Sequence, residues 1–221
     1  LVSNLSTDAT VRLLTSYDYN TTLTTNDGAV NAGRIILDST RGDRTSQIVT
    51  GNAFTNQATG LIQSVNNSAS GGRRISGNLI NQGRIQGTNY YLDVFGGYEQ
   101  AGGMVDAGVS FWNTQLRITA SPAEPTTLRL FGNQQTLLTD NLPRTTLQLI
   151  SEYNYNAVLT APSTFANHGT IRLDSTRSDR TSTLSSSDNF TNASDGVIDV
   201  LANGEGGRQI TGSLVNQGQI Q

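Results

Sequence analysis

The chain of 221 residues contains no cysteine and no lysine. Without cysteine there are no disulfides and no thiolate metal ligands. All 14 basic side chains are therefore arginine, set against 17 acids for a net charge of −3. That balance leaves no electrostatic footprint for nucleic acid or an anionic membrane surface, and both partner classes are set aside. Charged residues make up 14 % of the chain, well short of the roughly 25 % of an ordinary soluble domain. Histidine occurs once, at position 168, and the position 136 residues earlier is Ala32, so neither a metal site nor a Ser–His pair is built on this single unrepeated histidine. No basic leader with an apolar run opens the chain, and no apolar run approaches 18 residues. Neither a signal segment nor a membrane-spanning helix is therefore expected in this segment. Apolar residues at helical spacing are missing too.

What is plentiful is glycine, 23 in all, together with Asn, Thr and Ser. These residues build a short motif that comes six times: an apolar residue, a spacer, Asn, a gap, Gly, a spacer and an aliphatic. It runs through Asn31-Ala32-Gly33-Arg34-Ile35, Asn56 to Gly60-Leu61-Ile62, and Asn81-Gln82-Gly83-Arg84-Ile85. It returns in Asn167-His168-Gly169-Thr170-Ile171, Asn192 to Gly196-Val197-Ile198, and Asn216-Gln217-Gly218-Gln219-Ile220. The Gly-to-Gly steps are 27 and 23 residues in the first set and 27 and 22 in the second. Near-constant spacing in that range signals stacked coils. Asn and Gly both tolerate positive φ and can turn the chain, and the following Gly-x-aliphatic opens an alternating strand. The fold expected is all-β, a right-handed parallel β-helix with coils of about 20–27 residues. Ile35, Ile62, Ile85, Ile171, Ile198 and Ile220 should then stack in one interior column. The recurring Asn31, Asn56, Asn81, Asn167, Asn192 and Asn216 should form a structural hydrogen-bond ladder.

A longer period contains the short one. Thr10 to Ile62 matches Thr146 to Ile198 at an offset of 136 with 24 identities, and Gly71 to Gln86 matches Gly206 to Gln221 at an offset of 135 with 11. Residues 1–136 thus read as one whole unit of about six coils, and 137–221 as a partial second unit of one continuous solenoid. The chain is expected to be a window onto a longer tandem array. At ~4.8 Å per strand step, one unit would rise about 29 Å.

Between the matched segments, candidate strands lie at Tyr91-Leu92-Asp93-Val94, Met104-Val105-Asp106, Val109-Ser110-Phe111, Leu116-Arg117-Ile118 and Leu128-Arg129-Leu130. Gly96-Gly97, Gly102-Gly103, Ser121-Pro122 and Glu124-Pro125 read as the turns between them.

The Asn-x-Gly-x-Ile coils with Thr- and Gly-rich spacers resemble the secreted parallel β-helices of bacteria, filamentous-haemagglutinin-like and autotransporter-like adhesins among them. The resemblance covers nearly the whole chain and implies an extracellular, cell-surface fibre used in attachment or as a filament. Its expected partners are further copies of itself and surface glycans. A polysaccharide-binding or polysaccharide-degrading β-helix is the alternative.

Candidate sites divide into three. The run Leu37-Asp38-Ser39-Thr40-Arg41-Gly42-Asp43-Arg44 recurs as Leu173-Asp174-Ser175-Thr176-Arg177-Ser178-Asp179-Arg180. Asp38, Arg41, Asp43 and Arg44, with Asp174, Arg177, Asp179 and Arg180, could form an ion or sugar site. The preferred reading is a set of ion pairs bracing a loop to its coil, because an array must duplicate its loops. Tyr90, Tyr91, Tyr98 and Trp112 form a candidate glycan patch, weighed against aromatic packing inside the coil. Gly71-Gly72-Arg73 and Gly206-Gly207-Arg208 lack the helix a phosphate loop needs and read as turns, so no cofactor is expected. No residue set supplies a nucleophile with its base or a metal with an open position. The unduplicated stretch offers only Asp93, Glu99, Asp106 and Glu124 as acids, and the chain is expected not to be an enzyme.

Overall fold

A computed structural model describes the chain except for Leu1, Tyr17, residues 66–70, residues 88–91, Tyr153 and residues 203–205. The fold is all-β, with no helix among the described residues: parallel strands stack as a β-solenoid of about 8 turns, with coils of roughly 24 residues. Contacts divide the chain into two units, Leu1–Ser110 and Phe111–Gln221.

In the first unit, Thr10–Thr15, Arg34–Ser39, Leu61–Ser64, Arg84–Gly87 and Met104–Val105 form one parallel sheet. Its register sets Val11 beside Ile35, Ile35 beside Ile62, Ile62 beside Ile85, and Ile85 beside Val105. Ile35, Ile62, Ile85 and Val105 are all buried. Each strand gives this column one β-branched residue, a type that suits a pleated surface with one face inward. Each isoleucine withdrawn from water stabilises the coil by about 1.5–3 kcal/mol. Ile62→Ala, with a neighbour above and below, would cost about 2–5 kcal/mol. A second run of strands, Thr21–Asn31, Thr45–Val49, Phe54–Asn56, Gly72–Asn81 and Leu92–Ala101, closes the other side.

The second unit repeats this plan. Thr126–Phe131, Thr145–Ser151, Thr170–Ser175, Val197–Val200 and Gln219–Ile220 stack in parallel. They carry an inner column of Leu128, Leu147, Ile171, Ile198 and Ile220. All but Ile220 are buried; Ile220 is 47 % exposed, since no further coil packs over it in this structure. Opposite them run Gln135–Leu137, Ala157–Ala161, Thr181–Asn192 and Gly207–Asn216.

Three expected turns are not turns: Gly72-Arg73 and Gly207-Arg208 open the strands Gly72–Asn81 and Gly207–Asn216. Gly96 and Gly97 lie inside the continuous strand Leu92–Ala101. Gly96 takes φ +97° and pairs with Gly77, itself at φ +109°. These left-handed residues bend two stacked strands at the same height, a conformation that costs any side-chain-bearing residue about 1–2 kcal/mol.

Candidate functional site

The recurring asparagines form two hydrogen-bonded ladders. In the first unit, Asn31 Nδ2 donates to Asn56 Oδ1 at 2.8 Å and Asn56 Nδ2 to Asn81 Oδ1 at 2.9 Å. In the second, Asn167 Nδ2 donates to Asn192 Oδ1 and Asn192 Nδ2 to Asn216 Oδ1, both at 2.8 Å. Backbone pairing of Asn31 with Asn56, Asn56 with Asn81, Asn167 with Asn192 and Asn192 with Asn216 fixes this register. All but Asn216 are fully buried. An amide carries both donors and acceptors, so identical side chains stacked one strand apart satisfy one another. The Nδ2 groups of Asn56, Asn81, Asn167 and Asn192 each also reach a carbonyl of the next corner, for example Asn56 to Arg84 at 3.2 Å and Asn192 to Gln219 at 3.1 Å.

Sequence reasoning missed one rung. Asn141 Nδ2 donates to Asn167 Oδ1 at 2.7 Å, and Asn141 is fully buried. Thr145 stands where the motif has Gly, which hid it. Its available signal was Leu147 six residues on, the spacing of Asn56 to Ile62 and Asn192 to Ile198. The first unit ends its ladder differently: Asn81 Nδ2 lies 3.3 Å from the hydroxyl of Tyr98, which donates to Gln100 Oε1 at 2.5 Å. Gln100 pairs with Asn81 in the backbone register. Tyr98 is 2 % exposed, and burial pushes its hydroxyl pKa well above the ordinary value. Its ring is thus an interior cap to the ladder and cannot serve as a glycan surface. Tyr90 and Tyr91 lie outside the described residues.

The motif glycines do not serve through positive φ. None of Gly33, Gly60, Gly83, Gly169, Gly196 and Gly218 is left-handed. What excludes a side chain is the preceding corner. A Cβ on Gly60 would meet the carbonyl oxygen of Asn31 and Asn56 Oδ1, and one on Gly196 would meet Asn167 O and Asn192 Oδ1. Corners stacked at strand spacing leave no room for it.

The arginine–aspartate loop also divides differently from its expected bracing. Asp38 turns to the strand, fully buried, where Arg12 Nε donates to its Oδ2 at 3.0 Å. Its counterpart Asp174 accepts from Gln148 Nε2 at 3.0 Å. The remaining pairs are local and exposed: Arg41–Asp43 at 3.6 Å, Arg44–Asp43 at 3.2 Å, and Arg177 and Arg180 each 3.4 Å from Asp179. Arg44 also reaches Asp18 at 4.0 Å. Exposed pairs of this kind contribute about 0–1 kcal/mol. The firmer brace comes from the next coil. Arg73, 1 % exposed, donates through Nη1 to Gly71 O and through Nη2 to Ser39 O and Val65 O at 3.2 and 3.0 Å. Arg208 donates likewise to Gly206 O at 2.5 Å and Ser175 O at 3.0 Å. Ser39 and Ser175 close the loop locally: Ser39 Oγ donates to Arg41 O at 2.8 Å, and the single proton of Ser175 Oγ is shared between Arg177 O and Arg180 O at 3.2 and 3.1 Å. The guanidinium fork suits several carbonyls at once. Sequence reasoning read Arg73 and Arg208 only as parts of turns. Their signal was that both copies keep this arginine while its neighbour changes from Arg74 to Gln209.

Trp112 is half-buried. It stacks on Phe131 at 5.0 Å between centroids and 20° between planes, and meets Tyr155 edge-on at 5.7 Å and 82°. His168 Nδ1 lies 2.8 Å from Asp195 Oδ1 on the surface, and this hydrogen bond holds the Asp195 carboxyl below its usual range. Arg84 grips Asp106 with two bonds of 3.1 and 3.0 Å. Among the described residues, no three His, Asp or Glu side chains gather as a metal site. Comparisons with family models, with curated proteins and with solved structures match nothing.

Proposed function

We propose that this chain is a non-enzymatic, structural and adhesive segment of an extracellular fibrous surface protein built from 136-residue repeats. One observation carries the reading: the residues that hold coils together are kept between the two copies. They include the Asn ladder, the corner glycines, and the loop with its buried arginine. Arrays of stacked coils gain stability from neighbour contacts, so selection on a fibre falls on the inter-coil bonds. The abundance of Asn, Thr and Ser with few charges fits a rod whose surface is solvated by neutral polar groups. In this reading the 136-residue period is the axial unit of the fibre. At roughly 24 residues per coil the period holds about 5.7 coils, and 5.7 to six coils at ~4.8 Å give about 27–29 Å.

Electron microscopy of the native assembly tests the proposal. Filaments with an axial periodicity of about 27–29 Å, or a multiple of it, are expected. Compact monomers that stay monodisperse at high concentration would overturn it.

A further inference from the structure

We propose that the loop tip holding Arg41 and Asp43, with Tyr19 beside it, is a self-association patch through which two copies of this chain pair side by side. The inference rests on the proposed fibre and adds lateral pairing of its rods to their growth along the axis.

The patch stands out as side chains kept without a task inside the coil. Residues 10–62 agree with 146–198 at 24 positions, and nine of these fall in the ten-residue run 37–46. Among the described residues of this match, six kept side chains are exposed in both copies: Tyr19, Asn20, Thr24, Thr40, Arg41 and Asp43. Three of them serve the fold. Asn20 Oδ1 accepts from Thr45 N at 2.8 Å and Asn156 Oδ1 from Thr181 N at 3.0 Å, each across a coil. Thr40 Oγ1 donates to Thr15 O and Thr176 Oγ1 to Ser151 O, both at 3.2 Å. Thr24 lies in a strand, where its β-branch suits the pleat. Tyr19, Arg41 and Asp43 are left over. Tyr19 is 79 % exposed, and its counterpart Tyr155 stays 54 % exposed with Trp112 against it. Arg41 Nε lies 3.6 Å from Asp43 Oδ1 and Arg177 Nε 3.4 Å from Asp179 Oδ1, so both pairs stay within their own tips. Exposed pairs of this kind contribute about 0–1 kcal/mol, too little to explain why the tips are kept. The coil brings the three residues to one corner: the bond from Thr45 to Asn20 sets the loop that ends in Tyr19 beside the loop that ends in Asp43 and Arg44.

Charge selects the occupant. Arg41 and Asp43 carry opposite signs two residues apart, with about half of each side chain exposed. A partner of one sign gains at one of these residues what it loses at the other. A second copy turned about a two-fold axis sets Arg against Asp and Asp against Arg, the self-complementary contact that such symmetry requires. The local pairs are weak enough to exchange for pairs between copies. The residue between them is Gly42 in one copy and Ser178 in the other, small in both, so the tips can approach closely. In the proposed array the patch recurs once per 136-residue period. A neighbouring rod has the same period by construction, so each tip finds its twin and weak contacts add along the pair.

Sedimentation velocity of the full chain at rising concentration tests the patch. Dimers should form in about 20 mM salt and dissociate in about 1 M salt, where screening shortens the reach of a charge to ~3 Å. Asp43→Arg with Asp179→Arg leaves Arg facing Arg across the two-fold axis, and Arg41→Asp with Arg177→Asp leaves Asp facing Asp. Each double variant alone should dimerise about tenfold more weakly, the equivalent of about 1.4 kcal/mol, with circular dichroism as the check that it is folded. An equimolar mixture of the two should restore dimers of wild-type strength, because every tip again meets its opposite. Tyr19→Ala should weaken the wild-type dimer about threefold, as for the loss of one aromatic contact. A wild-type chain that stays monomeric in low salt, dimers indifferent to both double variants, or variants whose mixture fails to dimerise would each overturn the patch. Single-width filaments seen beside such a result would leave the fibre standing, whereas salt-sensitive dimers without filaments would remove the fibre and keep the patch.

Discussion

Replacing Asn56 by alanine removes the middle rung of the first ladder. Three hydrogen bonds go with it: the donation from Asn31 Nδ2 at 2.8 Å, and those to Asn81 Oδ1 and Arg84 O at 2.9 and 3.2 Å. The replaced bonds matter less than what is left behind. Asn31 Nδ2 and Asn81 Oδ1 remain in a fully buried column, and each orphaned polar group costs about 1–3 kcal/mol. The expected loss is therefore about 3–5 kcal/mol, a large part of a typical stability of about 5–15 kcal/mol. Asn216→Ala is the internal control. Asn216 is exposed and takes one bond from Asn192 at 2.8 Å, so its loss should cost about 1 kcal/mol or less. Urea unfolding by far-ultraviolet circular dichroism gives the comparison, with native-state hydrogen exchange showing whether protection falls first around residues 31, 56 and 81. If Asn56→Ala costs no more than Asn216→Ala, the ladder does not hold the coils together.

Leu5 pairs with Asn31 in the register, and its counterpart one period on is Asn141. Asn31 Oδ1 is buried without a donor, so Leu5→Asn should extend the ladder and raise stability by about 1 kcal/mol, read by the same urea midpoint. Arg73→Ala should lower stability by more than 2 kcal/mol, because it opens a buried hole and frees the Ser39 and Val65 carbonyls. Asp43→Ala should cost about 1 kcal/mol or less, and a reversed order in thermal melts would restore the surface ion pairs as the brace. The His168 hydrogen bond lowers the pKa of Asp195. Its contribution is therefore present above the unfolded carboxyl value, near 3.8, and is lost as pH falls through the lower folded value. In His168→Ala the Asp195 titration, followed by NMR, should move upward, and no movement would show that the two side chains are unpaired in solution.

Much of this architecture is legible in the residues before any coordinates. The ladder shows because Asn recurs at a coil's length with an alternating strand after it, and both signals come from local chemistry. Asn141 escapes since Thr145 breaks the local pattern while the through-space register keeps the rung. The glycines are visible but their reason is not: conformational freedom is a property of one residue, whereas the clash with the preceding corner depends on a neighbour about 25 positions away. Arg12 with Asp38 and Arg73 with Ser39 lie 26 and 34 residues apart, so neither pairing can be named until the register is known. Tyr98 follows two glycines and looks like a loop residue. The bend at Gly96 lies within its strand, and the register carries the side chain inward to the ladder.

The account rests on corner asparagines that lie inside the coil and bond to their counterparts one turn away. Side-chain amide NMR on the intact chain tests this most directly. The account predicts nuclear Overhauser contacts between the side-chain amides of Asn31 and Asn56, Asn56 and Asn81, and Asn167 and Asn192. It also predicts exchange with solvent far slower than for the exposed amide of Asn133. Asparagine side-chain amides that exchange as fast as Asn133 and show no contact across a coil would contradict it.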